Sequence, residues 1–291
     1  MTVFITGVSG FIGTHLARYW SSLGYTVYGA ARRWPDLPAG LPLRRRVTFS
    51  LGGDIRPEDL AGVEAVIHLA YDRKSGIGLN VEGVKRVFAA ATAAGVSRQV
   101  FVSSYSSRPD ALSEYGKLKY LLETFFLERG QTIVRPGLVI GNGGLFGRNV
   151  EKILHTPLMP LLDSGKDLLP VVAVEDLLSA MTTLLQREAG AYNLFNKGLI
   201  PMRQFVEAIN RAAHHRTVYF NVPLNLAIAG LSCASKLRIP LPVDLDNLRA
   251  LKQNQKCIHA SDLEDLVPEC RSFESMIDAA VAHRTHANEV F

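Results

Sequence analysis

The stretch "TVFITGVSGFIG", Thr2 to Gly13, decides the fold. "TVFIT" is a short apolar run rich in β-formers, and it stops at a segment holding Gly7, Gly10 and Gly13. Ile12, Leu16, Tyr19, Trp20 and Leu23 then recur at helical spacing until Gly24, which predicts strand, glycine turn and helix in that order. Working outward, "YTVYGAA" from Tyr25 and "AVIHLA" from Ala65 read as further apolar strands. Strands alternating with helices predict a parallel α/β sheet.

In such a sheet the turn between first strand and first helix is where a dinucleotide's phosphates lie. The turn can require positive φ, a side chain would block the pyrophosphate, and the helix must pack closely on the strand. Free N–H groups at the helix start then face the phosphates. The three-and-three glycine spacing is a near relative of G-x-G-x-x-G; a glycine turn without a ligand is the competing reading. At the end of the second strand an NAD-binding chain carries an acid for the ribose hydroxyls. Here Ala30 and Ala31 stand in that place and Arg32 follows. No carboxylate repels a 2′-phosphate there and a guanidinium can pair with one, so the reading leans to NADP, with NAD as the alternative. Against it stands a plain basic loop opened by Arg32 and Arg33.

The rest of the chain narrows the function classes. Its 291 residues are 47% hydrophobic and 20% charged, enough for one large domain or one with a smaller partner. Three cysteines (Cys233, Cys257, Cys270) without C-x-x-C spacing argue against a disulfide framework or a zinc site. The eight histidines include no H-E-x-x-H, and His214, His215, His283 and His286 read as surface residues, so no metal is expected. No signal peptide is visible, and the apolar stretch from Val222 is interrupted by Asn225 and too short to span a bilayer. The expectation is a cytoplasmic protein without a membrane or nucleic-acid partner. The net charge of +5 lies partly in Arg32-Arg33 and Arg44-Arg45-Arg46, which lack interleaved aromatics and read as solvated loop surface.

A second stretch, "SEYGKLKYLLETFF" from Ser113, places Tyr115 and Lys119 one helical turn apart. Ser113 suits an N-cap and Glu114 the first turn. Leu118, Leu121, Leu122, Phe125 and Phe126 form an apolar face with Tyr115 inside the stripe and Lys119 at its border. Reducing a carbonyl needs a proton for the developing alkoxide. A free tyrosine titrates near 10, and a neighbouring ammonium stabilises the phenolate and lowers that value.

These motifs, with "GDI" at Gly53, "HLAY" at His68, "NVEG" opening a helix at Asn80, "VFVSSYSS", "IVRPGLVIG", "VVAVEDLLSA" and "AYNLFNKG", follow one another in order. Together they resemble the extended short-chain dehydrogenase/reductase family, also called the NAD-dependent epimerase/dehydratase family, over roughly residues 2 to 196. The resemblance implies an α/β fold: a Rossmann-type doubly wound parallel sheet with a smaller, mostly helical C-terminal substrate region. Residues 1–140 would form the dinucleotide-binding domain, rejoined by about 168–195, and 141–291 would mainly bind substrate. Catalytic roles are implied for Ser104, Tyr115 and Lys119, with Ser103 and Ser106 as competitors for the serine. Cofactor contacts are implied for Gly7, Ser9, Gly10, Phe11, Ile12, Gly13, Arg32, Asp54, Ile55, Leu69, Ala70, Tyr71, Tyr115, Lys119 and Pro136.

The implied activity is hydride transfer at a carbonyl or alcohol carbon of a small molecule, a nucleotide-activated sugar being the family's substrate class. The alternatives are a nucleotide-sugar 4-epimerase with bound NAD and a non-catalytic NADP(H)-binding sensor or assembly protein. Three departures matter. Ser104 and Tyr115 are only eleven positions apart, Tyr105 and Ser106 stand where dehydratases carry acids, and Tyr71 replaces an alanine. Arg148, Asn149 and Lys152 are candidates for an anionic substrate, while Arg203, Arg211 and Lys236 read as either diphosphate ligands or solvated charges. The resemblance also implies a homodimer through the Tyr115 helix and the helix near Asn80, while the apolar surface of "VEGVKRVFAAATAA" reads equally well as core packing.

Overall fold

The computed structural model describes residues 1–34, 40–227 and 259–288, with only the backbone for 283–288. Cys233, Lys236, Cys257, the apolar stretch beyond Ala227 and the side chains of His283 and His286 lie outside the described residues.

The first strands are β1 (Thr2–Thr6), β2 (Thr26–Ala31), β3 (Arg45–Thr48), β4 (Ala65–His68), β5 (Arg98–Val102) and β6 (Thr132–Pro136). After them come β7 (Leu138–Ile140), β8 (Leu158–Leu162), β9 (Leu168–Leu169), β10 (Val171–Ala173), β11 (Ala191–Leu194), β12 (Ile200–Pro201) and β13 (Val218–Val222). Seven of them form one sheet in the order β3-β2-β1-β4-β5-β6-β11, every neighbouring pair parallel. The chain moves outward from β1 to β3, then returns to lay β4 on the other side of β1. Connections leaving β1 and β4 diverge there, which opens a crevice at their carboxyl ends.

Both faces of the sheet are covered, so its strands are apolar on both sides. Val3 and Ile5 pack with Leu16 and Trp20 of α1 (Phe11–Ser22) and Leu177 and Met181 of α5 (Val174–Leu184). Phe4 and Val66 pack on the opposite face with Val87 and Phe88 of α2 (Ile77–Ala93) and Leu122 and Phe126 of α3 (Glu114–Leu127). The Trp20 indole N–H donates to the Thr182 hydroxyl at 2.7 Å, tying α1 to α5.

A second lobe holds α4 (Gly144–Leu154), α6 (Met202–Ala212) and α8 (Phe273–Asn288) around Phe146, Ile153, Leu161, Phe205, Ile209 and Ile277. Among the described residues it is mostly helical, and two short strand pairs, β8 with β13 and β9 with β12, lie inside it. The region from residue 141 onward does not stay in this lobe. β11 joins the large sheet, and Leu263 and Leu266 of α7 (Leu263–Leu266) sit in the first core.

Two local expectations change. α2 starts at Ile77, so Asn80 lies inside the helix rather than opening it. Arg45 and Arg46 belong to the edge strand β3 rather than a solvated loop. The Arg45 guanidinium lies 4.8 Å over Tyr28 and that of Arg46 5.7 Å over Trp34, and such charges blunt an exposed sheet edge.

Candidate active site

The crevice is built first by glycine. Gly7 has φ +68°, and a Cβ there would lie 3.0 Å from the Ala70 main chain. A Cβ at Gly13 would lie 2.6 Å from the Gly7 carbonyl oxygen, so only glycine allows α1 to start this close to β1. α1 begins without a side-chain cap at Gly10 and without an acid in its first turn. Among the described residues its first N–H groups and positive end thus have neither a capping side chain nor an acid beside them, which fits a dinucleotide's diphosphate.

Thr6 locks this geometry. Its hydroxyl donates to the Ile67 carbonyl at 3.3 Å and accepts from the N–H groups of Leu69 and Ala70 at 3.1 and 3.2 Å. The ends of β1 and β4 are thereby joined across the switch point. The sequence reading missed Thr6 as a positioning residue, although it directly precedes the first loop glycine.

The other expected cofactor residues distribute unevenly. Ser9 and Gly10 are exposed at the turn, and Ile12 packs on the first core. The Phe11 ring lies against the second lobe: a Cβ on Gly141 would come within 2.9 Å of it, and one on Gly144 within 2.8 Å. Arg32 is exposed just past β2, behind the buried Ala30 and Ala31. The Asp72 carboxyl is held below its ordinary range by the Lys74 N–H and the Ser75 hydroxyl, with Arg32 adding to the effect, so an acid lies within electrostatic reach of that guanidinium. Asp54 is exposed and 3.8 Å from Arg86, whereas Ile55 is buried in the second core. Arg86 also donates to the carbonyls of Leu51 and Gly53 at 2.5 and 3.4 Å, holding that loop. Pro136 is buried, and its carbonyl accepts from the Tyr105 N–H at 3.3 Å.

Ser104, Tyr115 and Lys119 come together beside this loop. The Ser113 hydroxyl accepts from the Gly116 N–H at 3.0 Å and so caps α3. Gly116 lets the helix approach the serine segment, since a Cβ there would lie 2.7 Å from the Ser106 carbonyl oxygen. The side chains of Ser104 and Tyr115 are hydrogen-bonded, whereas the Ser103 hydroxyl is buried without a partner among the described residues. The Tyr71 ring meets Tyr115 edge-on, with centroids 5.2 Å apart.

The electrostatics differ from the simple sequence picture. Burial pushes Tyr115 up to about 12, only partly opposed by the Ser104 hydrogen bond. Burial lowers Lys119 to about 8, with Glu123 acting against the shift. The Lys119 ammonium donates to the Val102 carbonyl at 2.8 Å and stands 5.6 Å from the Tyr115 ring centre. It lies over the Tyr115 ring and, closer, over that of Phe101 at 4.6 Å, and Tyr115 is raised rather than lowered. The helix face also changes. Lys119 lies inside the buried stripe at 6% exposure, next to Leu118, Leu122, Glu123 and Phe126. Leu121, expected in that stripe, is 51% exposed.

Glu123 is the unexpected partner. It is 1% exposed and receives two hydrogen bonds from the Arg135 guanidinium at 3.0 and 2.6 Å, a bidentate pair bridging α3 and β6. Arg135 also reaches Asn193 of β11 at 3.3 Å. Tyr105 is buried between Phe195 and His259, each ring centre 5.3 Å away, so an aromatic follows Ser104 where a carboxylate would serve dehydration. Among the described residues no cluster of three metal-ligating side chains occurs. The Cys270 thiol is pushed up to about 11 by burial, which makes it a poor nucleophile.

Residues 3–198 match the NAD dependent epimerase/dehydratase family. The chain belongs to that family. Among relatives of this epimerase/dehydratase chain, a ceramide reductase of Caulobacter vibrioides is 33% identical, covering 60% of this chain and 57% of its own length. The sterol demethylase protein B of Methylococcus capsulatus is 30% identical, covering 60% of this chain and 65% of its own length. The chain thus spans about three-fifths of the length of these two curated relatives. In fold, MoeE5 bound to UDP-glucuronic acid and NAD superposes with a TM-score of 0.75 at 18% identity, over 99% of this chain and all of its own.

Proposed function

We propose that this chain is an NADP-dependent reductase acting on the carbonyl group of a small molecule. The observation that carries the reading is the Ser104–Tyr115 hydrogen bond with the buried Lys119 ammonium against the same ring. Gly7, Gly10, Gly13 and the start of α1 would hold the diphosphate, Leu69, Ala70 and Pro136 would line the inner path, and Arg32 would meet a 2′-phosphate. When bound, the nicotinamide supplies the hydride. Ser104 would orient the carbonyl oxygen. Tyr115, fully protonated at neutral pH, would give its proton to that oxygen as negative charge develops there. Lys119, lowered to about 8, holds a proton it can release near neutrality.

The names of three relatives at 30% identity or above carry apolar molecules: ceramide, sterol and hydroxysteroid. This supports an apolar carbonyl substrate over the nucleotide-activated sugar. The second reading, a sugar-nucleotide epimerase with retained NAD, draws on the sugar nucleotide and NAD held by MoeE5 and on a 22% identical undecaprenol-linked sugar 4-epimerase of Escherichia coli. A homodimer through α2 and α3 belongs to the same proposal, supported by the exposed Leu79, Leu121 and Leu127 on those helices.

Calorimetric titration of nucleotide-free protein with NADPH and NADH tests the cofactor. The expectation is tighter NADPH binding, with Arg32→Ala weakening NADPH roughly tenfold and sparing NADH, from the loss of one charge-assisted contact. NAD(H) that co-purifies and does not exchange would instead establish the epimerase reading.

A further inference from the structure

β8 and β13 form a parallel ribbon in which both faces are apolar. Leu158 pairs with Val218, Met159 with Tyr219 and Pro160 with Phe220. Met159, Leu161 and Tyr219 turn inward to the third core. The alternate residues face outward: Leu158 is 56% exposed, Val218 66% and Phe220 44%, with Pro160 also exposed. Side chains alternate along a strand, so a ribbon wetted on one face normally alternates apolar with polar residues. This one does not, and contiguous exposed apolar residues of this kind mark contact surfaces.

The ribbon is held firmly in that attitude. The Asn210 amide donates to the Tyr219 hydroxyl at 2.6 Å, and the Thr217 hydroxyl donates to the Asn210 carbonyl oxygen at 3.3 Å. At the far end, the Ser164 N–H donates to Asn221 at 2.6 Å and the Leu224 N–H to Asp163 at 2.9 Å.

Charge identifies the partner. Because the strands are parallel, their starts lie side by side, with the Val218 N–H donating to the Pro157 carbonyl at 2.9 Å. The approach to β8 carries Lys152 and His155, and the approach to β13 carries Arg211, His214 and Arg216, all exposed. Residues 152–162 and 208–222 contain no Asp or Glu. The flanking acids are Glu151, beside Lys152, Asp163, which caps Leu224, and Glu207, which pairs with Arg203 at 2.8 Å.

We propose that this ribbon rests on the surface of an anionic lipid bilayer. Leu158, Val218 and Phe220 enter the boundary between headgroups and acyl chains, and Lys152, Arg211 and Arg216 meet the headgroup phosphates. No described helix is long and apolar enough to cross a membrane, so the contact is peripheral. It reverses the expectation that no membrane is involved, and it does not depend on the chemistry proposed for Tyr115.

Co-sedimentation of the full chain with phosphatidylcholine vesicles, with and without phosphatidylglycerol, tests it. The protein pellets with the anionic vesicles, added salt releases it, and Val218→Glu with Phe220→Glu abolishes pelleting at unchanged melting temperature. Arg211→Gln and Arg216→Gln each weaken anionic-vesicle binding about fivefold, the ~1 kcal/mol of a basic residue near an anionic surface. Absence of wild-type pelleting overturns the proposal, as does equal pelleting of the Val218/Phe220 variant. So does light scattering that shows a dimer dissociated by Phe220→Glu without vesicle binding, since the face then belongs to a second copy.

Discussion

Lys119 holds a charge where burial opposes one, and its neighbours explain how. Glu123, one turn along α3, favours the ammonium, and the Val102 carbonyl accepts one of its protons. Below about 8 the folded chain keeps the Lys119 proton in a poorly solvated place. Between about 8 and the ordinary 10.5 it releases that proton before the unfolded chain does. The unfolded state then binds more protons, so stability rises with pH across this window. Tyr115 acts oppositely between 10.0 and about 12, where the folded chain retains a proton that the unfolded chain has lost. Melting temperature measured against pH checks the sign: the wild type gains stability above pH 8 and Lys119→Met does not. At pH 7 Lys119→Met melts a few degrees higher, as expected when a buried charge becomes a packed apolar chain worth ~1 kcal/mol. The same variant has no measurable turnover. Tyr115→Phe lowers kcat/KM by roughly 10²- to 10⁴-fold, the usual contribution of a general acid. On the proposed mechanism, turnover by the wild type is expected to decline as pH rises through about 8, where Lys119 loses its proton.

At the level of elements, α1 and α3 differ in how much of them the sequence shows. The glycine turn and the 3.6-residue pattern of α1 were readable because backbone sterics alone impose them. So was the Ser113 cap, whose hydroxyl needs only its own helix start. Ser113→Ala is expected to lower stability by ~1 kcal/mol in a denaturant titration. The buried side of α3 was misjudged because Leu121 and Phe125 make an alternative apolar edge, while Lys119 and Glu123 look too polar to bury. What reverses that choice is Arg135, which pairs with Glu123 from β6 and cannot be seen within the helix. Arg135→Met strips buried Glu123 of its two guanidinium hydrogen bonds, leaving only the Lys119 charge nearby, and should destabilise the chain by about 3 kcal/mol, measured in the same titration. β13 went unread for a different reason. Its β-branched and aromatic composition signalled a strand, but an apolar outer face hid the usual alternation.

Across the whole molecule, the parallel sheet and the glycine turn between its first strand and helix were legible from motif order, because parallel strands are joined through helices, whereas the strand order was not read. The chain's late return to the first lobe was not legible either. It depends on side chains far apart in sequence: Asp176 accepts from the Arg271 N–H at 2.8 Å, and Asp262 accepts from the Asn193 N–H at 2.7 Å. The proximity of Asp72 to Arg32 was equally hidden, since nothing local links the ends of β2 and β4. Leu263 and Leu266 complete the first core, and this imposes an order of events on the ribosome. After Pro136 closes β6, about 130 more residues must be made before Leu266 is available, roughly 6 to 26 s at ~5–20 residues per second. Through that interval the flank covered by α1 and then α5 lacks the last apolar side chains that Leu263 and Leu266 supply.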